Sequence, residues 1–187
     1  MINSNYIYKI KQYCIDNNLW NIPEDEAGFL YDLILKKKYI RILEYGTSGG
    51  YSTLWLASAA FQNDNKDYVV DTIESNKIRF DIASNHFKNS GLKINIHLGH
   101  CPECLDGFIT LEKKYDFIFM DIVKKHYTES FKKSLELLDK NGMIVADNIN
   151  THKNETKDFI DFISNIKNME TEIAVVGNGI SISRFKV

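Results

Sequence analysis

Short apolar runs alternate with helix-like segments along most of the chain, and this alternation restricts its fold more than any other feature. Strands are predicted over residues 41–46, 67–74, 93–99, 115–121 and 143–149. Strands separated by helices pair in parallel, and the helices cover both faces of the sheet. The strand cores are rich in Ile, Val and Phe, which is typical of strands buried on both faces. The helices that follow them are predicted over residues 51–61, 76–91, 102–114, 127–142 and 154–166.

The end of the chain departs from this alternation. Two further strands are predicted over residues 171–176 and 179–187, and only the Gly-Asn-Gly sequence of residues 177–179 joins them. So short a connection predicts an antiparallel hairpin. We therefore predict an α/β fold: a Rossmann-like, doubly wound, mostly parallel seven-stranded sheet with a C-terminal antiparallel hairpin. Residues 1–187 are predicted to form a single domain, with residues 1–24 as an N-terminal helical extension.

Composition argues against several classes of protein. Lys and Arg total 23 against 25 for Asp and Glu, so the net charge of -2 lacks the basic excess typical of nucleic-acid binding. The N-terminus does not resemble a signal peptide, and no run approaches the roughly 20 apolar residues of a membrane span. A low, odd count of 3 cysteines fits free thiols in a reducing compartment. A cytoplasmic protein without membrane association is predicted.

Two of the cysteines, Cys101 and Cys104, form the sequence CPEC. A zinc site would need about four ligands, and the chain has no second cysteine pair to complete one. A redox-active dithiol is the functional alternative. Two ordinary thiols at the start of a helix are the simpler interpretation.

Polar residues stand where several predicted strands end. In open α/β sheets, ligands bind at the carboxyl ends of the strands. One acid after a strand is typical of a turn, but several that meet at one edge of the sheet predict a binding site. These residues are Glu44, Glu74, Asp121, Asp147 and Asn148.

A glycine-rich turn, Glu44-x-Gly46-x-x-x-Gly50, joins the first strand to its helix. It lacks the G-x-G-x-x-G spacing of dinucleotide-binding turns, which argues against an NAD-dependent reductase. Its glycines allow a ligand to approach the backbone, and the helix start offers N–H groups to a carboxylate. Glu74, after the neighbouring strand, can accept both hydroxyls of a ribose. S-adenosylmethionine, a nucleoside with a carboxylate and no pyrophosphate, meets these requirements.

Residues 42–57, ILEYGTSGGYSTLWLA, resemble motif I of the class I methyltransferases. The resemblance is strongest to the cation-dependent O-methyltransferases, typified by catechol and caffeoyl-CoA O-methyltransferases. YDFIFMDIVKKHY (residues 115–127) and NGMIVADNI (141–149) resemble that family's fourth and fifth strand segments, and VGNGISISRF (176–185) resembles its C-terminal hairpin. The resemblance extends from about Pro23 to the end of the sequence.

The resemblance implies a role for particular residues. Lys124, three residues after Asp121, falls where the catechol enzymes have a catalytic lysine. Cys101 would lie beside the adenine of S-adenosylmethionine. The implied cofactor-binding residues are Glu44, Gly46, Thr47, Gly50, Tyr51, Ser52, Glu74, Cys101 and Asp121. The implied ligands of Mg²⁺ or another divalent cation are Asp121, Asp147 and Asn148, which would supply hard oxygen atoms.

Each of these positions also has a structural interpretation. Glu44 and Glu74 are residues that turns and helix caps commonly use, and Asp121 is suited to capping the next helix. Asp147 with the residue after it is compatible with an ordinary turn. Lys124 stands in a basic stretch that would be solvated in any fold.

The function implied by the resemblance is methyl transfer from S-adenosylmethionine to a hydroxyl of a small catechol-like acceptor with adjacent oxygens. Two departures concern the acceptor. Ile122 and Val123 stand where the catechol enzymes have bulkier residues, and residues 149–159 lack the insertions that form acceptor lids in plant caffeoyl-CoA enzymes. An open pocket keeps a tRNA acceptor as an alternative, with a basic rim formed by Lys124, Lys125, Lys132 and Lys153. A nucleoside-binding domain without catalysis is the second alternative, and a homodimer is compatible with either.

Overall fold

Residues 4–186, which the computed structural model describes, form a seven-stranded sheet flanked by helices. Residues 1–3 of the predicted extension and residue 187 of the last predicted strand lie outside the described residues. The strands are β1 Arg41–Tyr45, β2 Val69–Glu74, β3 Asn95–Leu98, β4 Tyr115–Met120, β5 Leu138–Ala146, β6 Met169–Ala174 and β7 Ile180–Phe185. The helices are α1 Ser4–Asp16, α2 Glu24–Lys37, α3 Tyr51–Asn63, α4 Lys77–Ser90, α5 Leu105–Thr110, α6 Tyr127–Leu137 and α7 Lys153–Ser164.

The strand order is β3-β2-β1-β4-β5-β7-β6, which confirms the predicted doubly wound sheet. Strands β1 to β5 pair in parallel, whereas β7 pairs antiparallel with both β5 and β6. The predicted C-terminal hairpin is therefore confirmed. Because β1 lies between β2 and β4, the chain changes direction across the sheet at the β1–β4 pair. Ligands of doubly wound folds bind in the crevice above such a point.

Alternate residues of the central strands enter two separate hydrophobic layers. In β4, Phe117 and Phe119 pack with α1 to α4, whereas Ile118 and Met120 pack with α5 to α7. Period-two alternation between two apolar layers explains why the strand sequences have nearly continuous apolar cores.

Several element boundaries differ from prediction. The helix predicted to reach residue 142 ends at Leu137, because Leu138 is extended and pairs with Tyr115 of β4. Gly142 then brings β5 so close to β4 that a Cβ atom would lie 2.7 Å from the carbonyl oxygen of Asp116. The helix predicted over residues 102–114 is confined to α5. Helix α2 was not predicted, although acidic residues begin it and Lys36 and Lys37 end it.

Helix α1 confirms the helix predicted before the first strand, and it packs against α3. Its buried side chains Ile7, Ile10 and Cys14 face the core, and Cys14 lies directly against Gly49 of the glycine turn. The helix therefore covers one side of that turn. Among the described residues, no helix is both long and apolar enough to cross a membrane. The single-domain organisation stays a prediction.

Candidate functional site

The glycine turn after β1 lies against the end of β4. Gly46 and Gly50 have φ angles of +96° and +91°. Glycine adopts such positive angles readily because it has no Cβ atom. A Cβ atom on Gly46 would overlap the carbonyl oxygen of Asp121, and the backbone N–H of Asp121 donates to the carbonyl of Tyr45 at 2.9 Å. The turn and the residue after β4 are therefore in direct contact, which places the two halves of the predicted site side by side.

Glu44 is fully buried beneath this turn and binds hydroxyl groups rather than solvent. Its carboxylate accepts hydrogen bonds from Ser52 at 2.6 Å, from Thr72 at 2.6 Å and from Thr53. Burial raises its pKa to about 7, although the three hydroxyl donors favour the charged form. Glu44 therefore fastens the start of α3 to strands β1 and β2 and fixes the shape of the turn.

Glu74, at the end of β2, joins the glycine turn to α4. Its Oε2 accepts from the backbone N–H of Ser48 at 2.8 Å. Its Oε1 accepts from the N–H of Asn76 at 2.8 Å and from the Arg79 guanidinium at 2.7 Å. A carboxylate oxygen has two acceptor positions, so Oε2 can accept another hydrogen bond whereas Oε1 is saturated. A ribose hydroxyl would therefore meet Glu74 on the side of the glycine turn.

The remaining predicted cofactor residues lie in different surroundings. Thr47 is buried and shares a 2.6 Å hydrogen bond with Thr72, which links it to the Glu44 network. Tyr51 is also buried, with Lys11 of α1 5.8 Å from its ring centroid. Cys101 is buried after β3, in the same apolar layer as Tyr45, which directly precedes the glycine turn. The structure thus brings Glu44, Thr47 and Ser52 into one network, and it leaves the Tyr51 and Cys101 side chains outside it.

A second group of polar residues follows β4 and β5. The ammonium of Lys124 donates to Asp121 Oδ1 at 3.1 Å, to Tyr127 Oη at 2.9 Å and to Asn148 Oδ1. Only 8% of the Lys124 side chain is exposed. Asn148 has a φ of +63°, a conformation that Asn tolerates better than most residues. Three of the predicted catalytic and metal-binding residues therefore meet at one point.

Asp147, which is adjacent to Asn148 in the sequence, belongs to the same group. It is buried, it accepts from the backbone N–H of Asn148, and its pKa is raised to about 6 by burial and by the charge of Asp121. Its charge also acts on the buried carboxyl group of Glu26. Burial, followed by the charge of Asp147, raises the pKa of Glu26 to about 9, so the proton belongs on Glu26.

Sequence reasoning missed Glu26, although a signal was present. Glu26 lies on the buried face of α2, four residues before Leu30 and eight before Ile34. An acid among the apolar positions of a helix face needs a buried polar partner. Here the partners are Asp147 and the backbone N–H of Asn178, which donates to Glu26 Oε2 at 3.1 Å.

The residues at the ends of β4 and β5 fit a hard cation. Asp121 and Asn148 direct oxygen atoms at the same ammonium group, and Asp147 is held beside them by the Asn148 backbone. Lys124 forms an ion pair with Asp121 and lies near the charge of Asp147. Carboxylate and amide oxygens are the donors that Mg²⁺ prefers. Among residues 4–186 no group of three or more His, Cys, Asp or Glu side chains is arranged to hold an ion unaided.

A cavity of about 710 Å³ lies at the other edge of the sheet, where α3 ends. Ile7, Tyr31 and Trp55 contribute to its lining, together with residues 61–66. Helix α3 starts at the carboxyl edge of the strands and ends at the amino edge, so this cavity is separate from the polar groups described above. It contains none of the predicted site residues.

The comparisons with known proteins agree on one family. Residues 4–175 match the family model described as O-methyltransferase. The chain is 33% identical over 132 residues to a catechol O-methyltransferase of Niastella koreensis, covering 69% of this chain and 58% of the relative. It is 32% identical over 136 residues to caffeoyl-CoA O-methyltransferase 2 of Eucalyptus globulus, covering 70% and 53%. The matched region thus spans little more than half the length of these relatives.

Solved structures show the same fold. An O-methyltransferase from Bacillus cereus in complex with SAH superimposes with a TM-score of 0.86 at 23% identity, covering 97% of this chain and 91% of that one. The O-methyltransferase TomG from Streptomyces achromogenes in complex with SAM gives a TM-score of 0.84 at 21% identity, covering 97% and 90%. The predicted α/β fold is confirmed by these neighbours.

Proposed function

Because the chain belongs to the O-methyltransferase family over residues 4–175, we propose that it methylates a small acceptor with S-adenosylmethionine as donor. The acceptor is a molecule with two adjacent oxygens, and a divalent cation assists the transfer. The observation that carries the proposal is the contact between Gly46 and Asp121. It joins a turn suited to a nucleoside with a carboxylate to a cluster of oxygen ligands suited to an acceptor.

The donor is assigned to the edge formed by β1 and β2. The turn between Glu44 and Gly50 would lie against its methionine part, and Glu74 Oε2 would accept a ribose hydroxyl. Glu44 would not touch the donor, since its side chain is fully buried beneath the turn among three hydroxyl groups. Its task is to hold the turn in shape, and such preorganisation is a large part of positioning in catalysis.

The acceptor is assigned to the edge formed by β4 and β5. Asp121, Asp147 and Asn148 would hold Mg²⁺ or another divalent cation, which would make a chelated hydroxyl more acidic. Lys124 would receive the proton of the attacking hydroxyl as a neutral amine, after giving up one proton of its ammonium group. Its ammonium now binds Asp121 and Asn148, so it must leave these oxygens before it can act on an acceptor.

A tRNA acceptor receives less support from the structure than a small molecule. Lys124 is mostly buried among acids, and Lys132 pairs with Glu129 at 2.7 Å. Two of the four lysines expected to form a basic rim are therefore already paired with acidic side chains. The Lys124 cluster also supports an enzyme over a nucleoside-binding domain that performs no chemistry.

The proposal is tested by methyl transfer from labelled S-adenosylmethionine to catechol, caffeoyl-CoA and undermodified tRNA, with and without EDTA. We expect transfer to a small acceptor and its loss on chelation. Asp147→Asn should abolish cation-dependent turnover and leave the affinity for S-adenosylhomocysteine nearly unchanged. Asp158→Asn, which changes an exposed carboxylate of α7, is the matched control.

Three results would count against the proposal in different ways. Activity that survives chelation would remove the cation from it. Transfer to tRNA alone would replace the acceptor class. Loss of cofactor affinity in Asp147→Asn, with no dependence on cation, would mean that Asp147 belongs to the donor site.

A further inference from the structure

The CPEC turn between β3 and α5 brings two thiols together. The Sγ atoms of Cys101 and Cys104 are 3.6 Å apart, and neither is in a disulfide. A disulfide bond is about 2.05 Å long, so a shift of roughly 1.5 Å would close it. The distance is that of a thiol–thiol hydrogen bond, which means that the two side chains already point at each other.

The two thiols are not equivalent. Cys101 is only 8% exposed and packs among buried side chains that include Tyr45, whereas Cys104 is half-buried. The hydrogen bond from Cys101 lowers the pKa of Cys104, and the same bond, reinforced by burial, raises the pKa of Cys101. A thiolate is the nucleophile in thiol–disulfide exchange. Cys104 is therefore placed to react first, with Cys101 as the thiol that resolves the product.

A structural metal does not account for the pair. A thiolate zinc site needs about four ligands, and no third His, Cys, Asp or Glu completes a cluster with these sulfurs among residues 4–186. Cys104 packs at the margin of this apolar layer, with its Cβ atom against Gly99 at the end of β3, but packing does not require the two sulfur atoms to face each other. What remains is chemistry between the two sulfurs.

We propose that Cys101 and Cys104 form a reversible dithiol–disulfide site beside the donor edge of the sheet. The Cys104 thiolate attacks a low-molecular-weight disulfide, breaks its S–S bond and releases one thiolate, which leaves a mixed disulfide on Cys104. Cys101 then loses its proton and attacks Cys104 Sγ, which expels the second small thiolate. Two electrons pass from the protein to the small disulfide, and the products are one protein disulfide and two small thiols.

The location gives the site a consequence for methyl transfer, and this part rests on the proposed function. The turn follows β3, the neighbour of the strand that ends at Glu74. Contact with Gly99 restricts movement of Cys104, so closing the bond should shift Cys101. We expect the disulfide form to bind S-adenosylhomocysteine more weakly, by about fivefold, the lower end of ordinary coupling between sites.

The experiment incubates the folded chain with oxidised and reduced glutathione in defined ratios and measures intact mass. The wild type should lose two hydrogen atoms and regain them with a dithiol reductant. Cys101→Ser should form the mixed disulfide and go no further. Cys104→Ser should form neither the mixed disulfide nor the protein disulfide. Cys14→Ser is the matched control and should behave as the wild type, because burial raises the pKa of the Cys14 thiol to about 11.

Two outcomes would overturn the redox site: thiols that stay free under a large excess of oxidised glutathione, or a wild type that accumulates only the mixed disulfide. Calorimetry with S-adenosylhomocysteine separates this from the proposed function. Equal affinity of the reduced and oxidised forms would overturn the coupling. Absence of binding to the reduced protein would instead count against the donor site itself.

Discussion

Three buried ionisable side chains lie at or beside the proposed site. Glu44 is surrounded by hydroxyl donors, Glu26 keeps its proton against Asp147, and Lys124 is held by Asp121 and an amide oxygen. A buried ionised group is stable only with a hydrogen-bond or charge partner, so the protonation state of each of these residues depends on its neighbours. Substitutions at two of them separate a positioning role from a catalytic one.

Glu44→Gln tests the buried carboxylate. The folded-state pKa of Glu44 is about 7 against 4.5 for the free side chain, so the folded protein binds the extra proton between these values. The free energy of unfolding of the wild type should therefore fall as pH rises through this window, by about 3 kcal/mol relative to Glu44→Gln. Urea denaturation at a series of pH values measures it. Parallel pH profiles for the two proteins would contradict the assignment.

Lys124→Met tests the proposed catalytic role of Lys124. The ammonium occupies oxygens of Asp121 and Asn148 that a cation would need, so its removal should raise Mn²⁺ affinity severalfold. Methyl transfer should nevertheless fall by about 100-fold or more, the range usual for the loss of a general base. Mn²⁺ binding is measured by electron paramagnetic resonance, with the exposed Lys125→Met as control. Weaker Mn²⁺ binding would show that Lys124 supports the site instead of competing for it.

At the level of elements, the turns and helix starts contribute more residues to the proposed site than the strands do. Strands β1, β2 and β4 were predicted to within two residues, because apolar runs bounded by polar residues leave little choice. Strand β5 begins five residues earlier than predicted, since Leu138 fits the end of α6 as well as the start of a strand. Pairing with Tyr115, which is remote in sequence, decides between them.

Gly46→Ala tests the turn between β1 and α3. Its φ of +96° strains any residue with a side chain, and the added Cβ atom would overlap the carbonyl oxygen of Asp121. We expect a loss of about 2 kcal/mol or more in the free energy of unfolding, together with loss of S-adenosylhomocysteine binding. Gly28→Ala is the control: its Cβ would meet nothing within 4 Å in α2, so it should gain up to about 1 kcal/mol. Equal stabilities of the two variants would contradict the tight packing of this turn.

At the scale of the whole molecule, the strand order creates the site. The alternation of strands and helices predicted a parallel sheet, and polar residues after the strands predicted its functional edge. The partnerships within that edge were not predictable. Glu26 lies near Asp147, and Lys124 meets Asn148, only because β4 and β5 are neighbours and α2 shares an apolar layer with them. Local sequence patterns identify residues suited to a site, whereas the contacts between them depend on tertiary packing.

We propose that a donor bound at the β1–β2 edge faces a cation held after β4 and β5. A crystal of the protein with S-adenosylhomocysteine and Mn²⁺, examined by anomalous scattering, tests it most directly. We predict one strong Mn²⁺ peak within coordination distance of Asp121, Asp147 and Asn148, with the nucleoside against the Gly46 turn. No peak at saturating Mn²⁺, or a peak elsewhere with these side chains turned apart, would contradict the account.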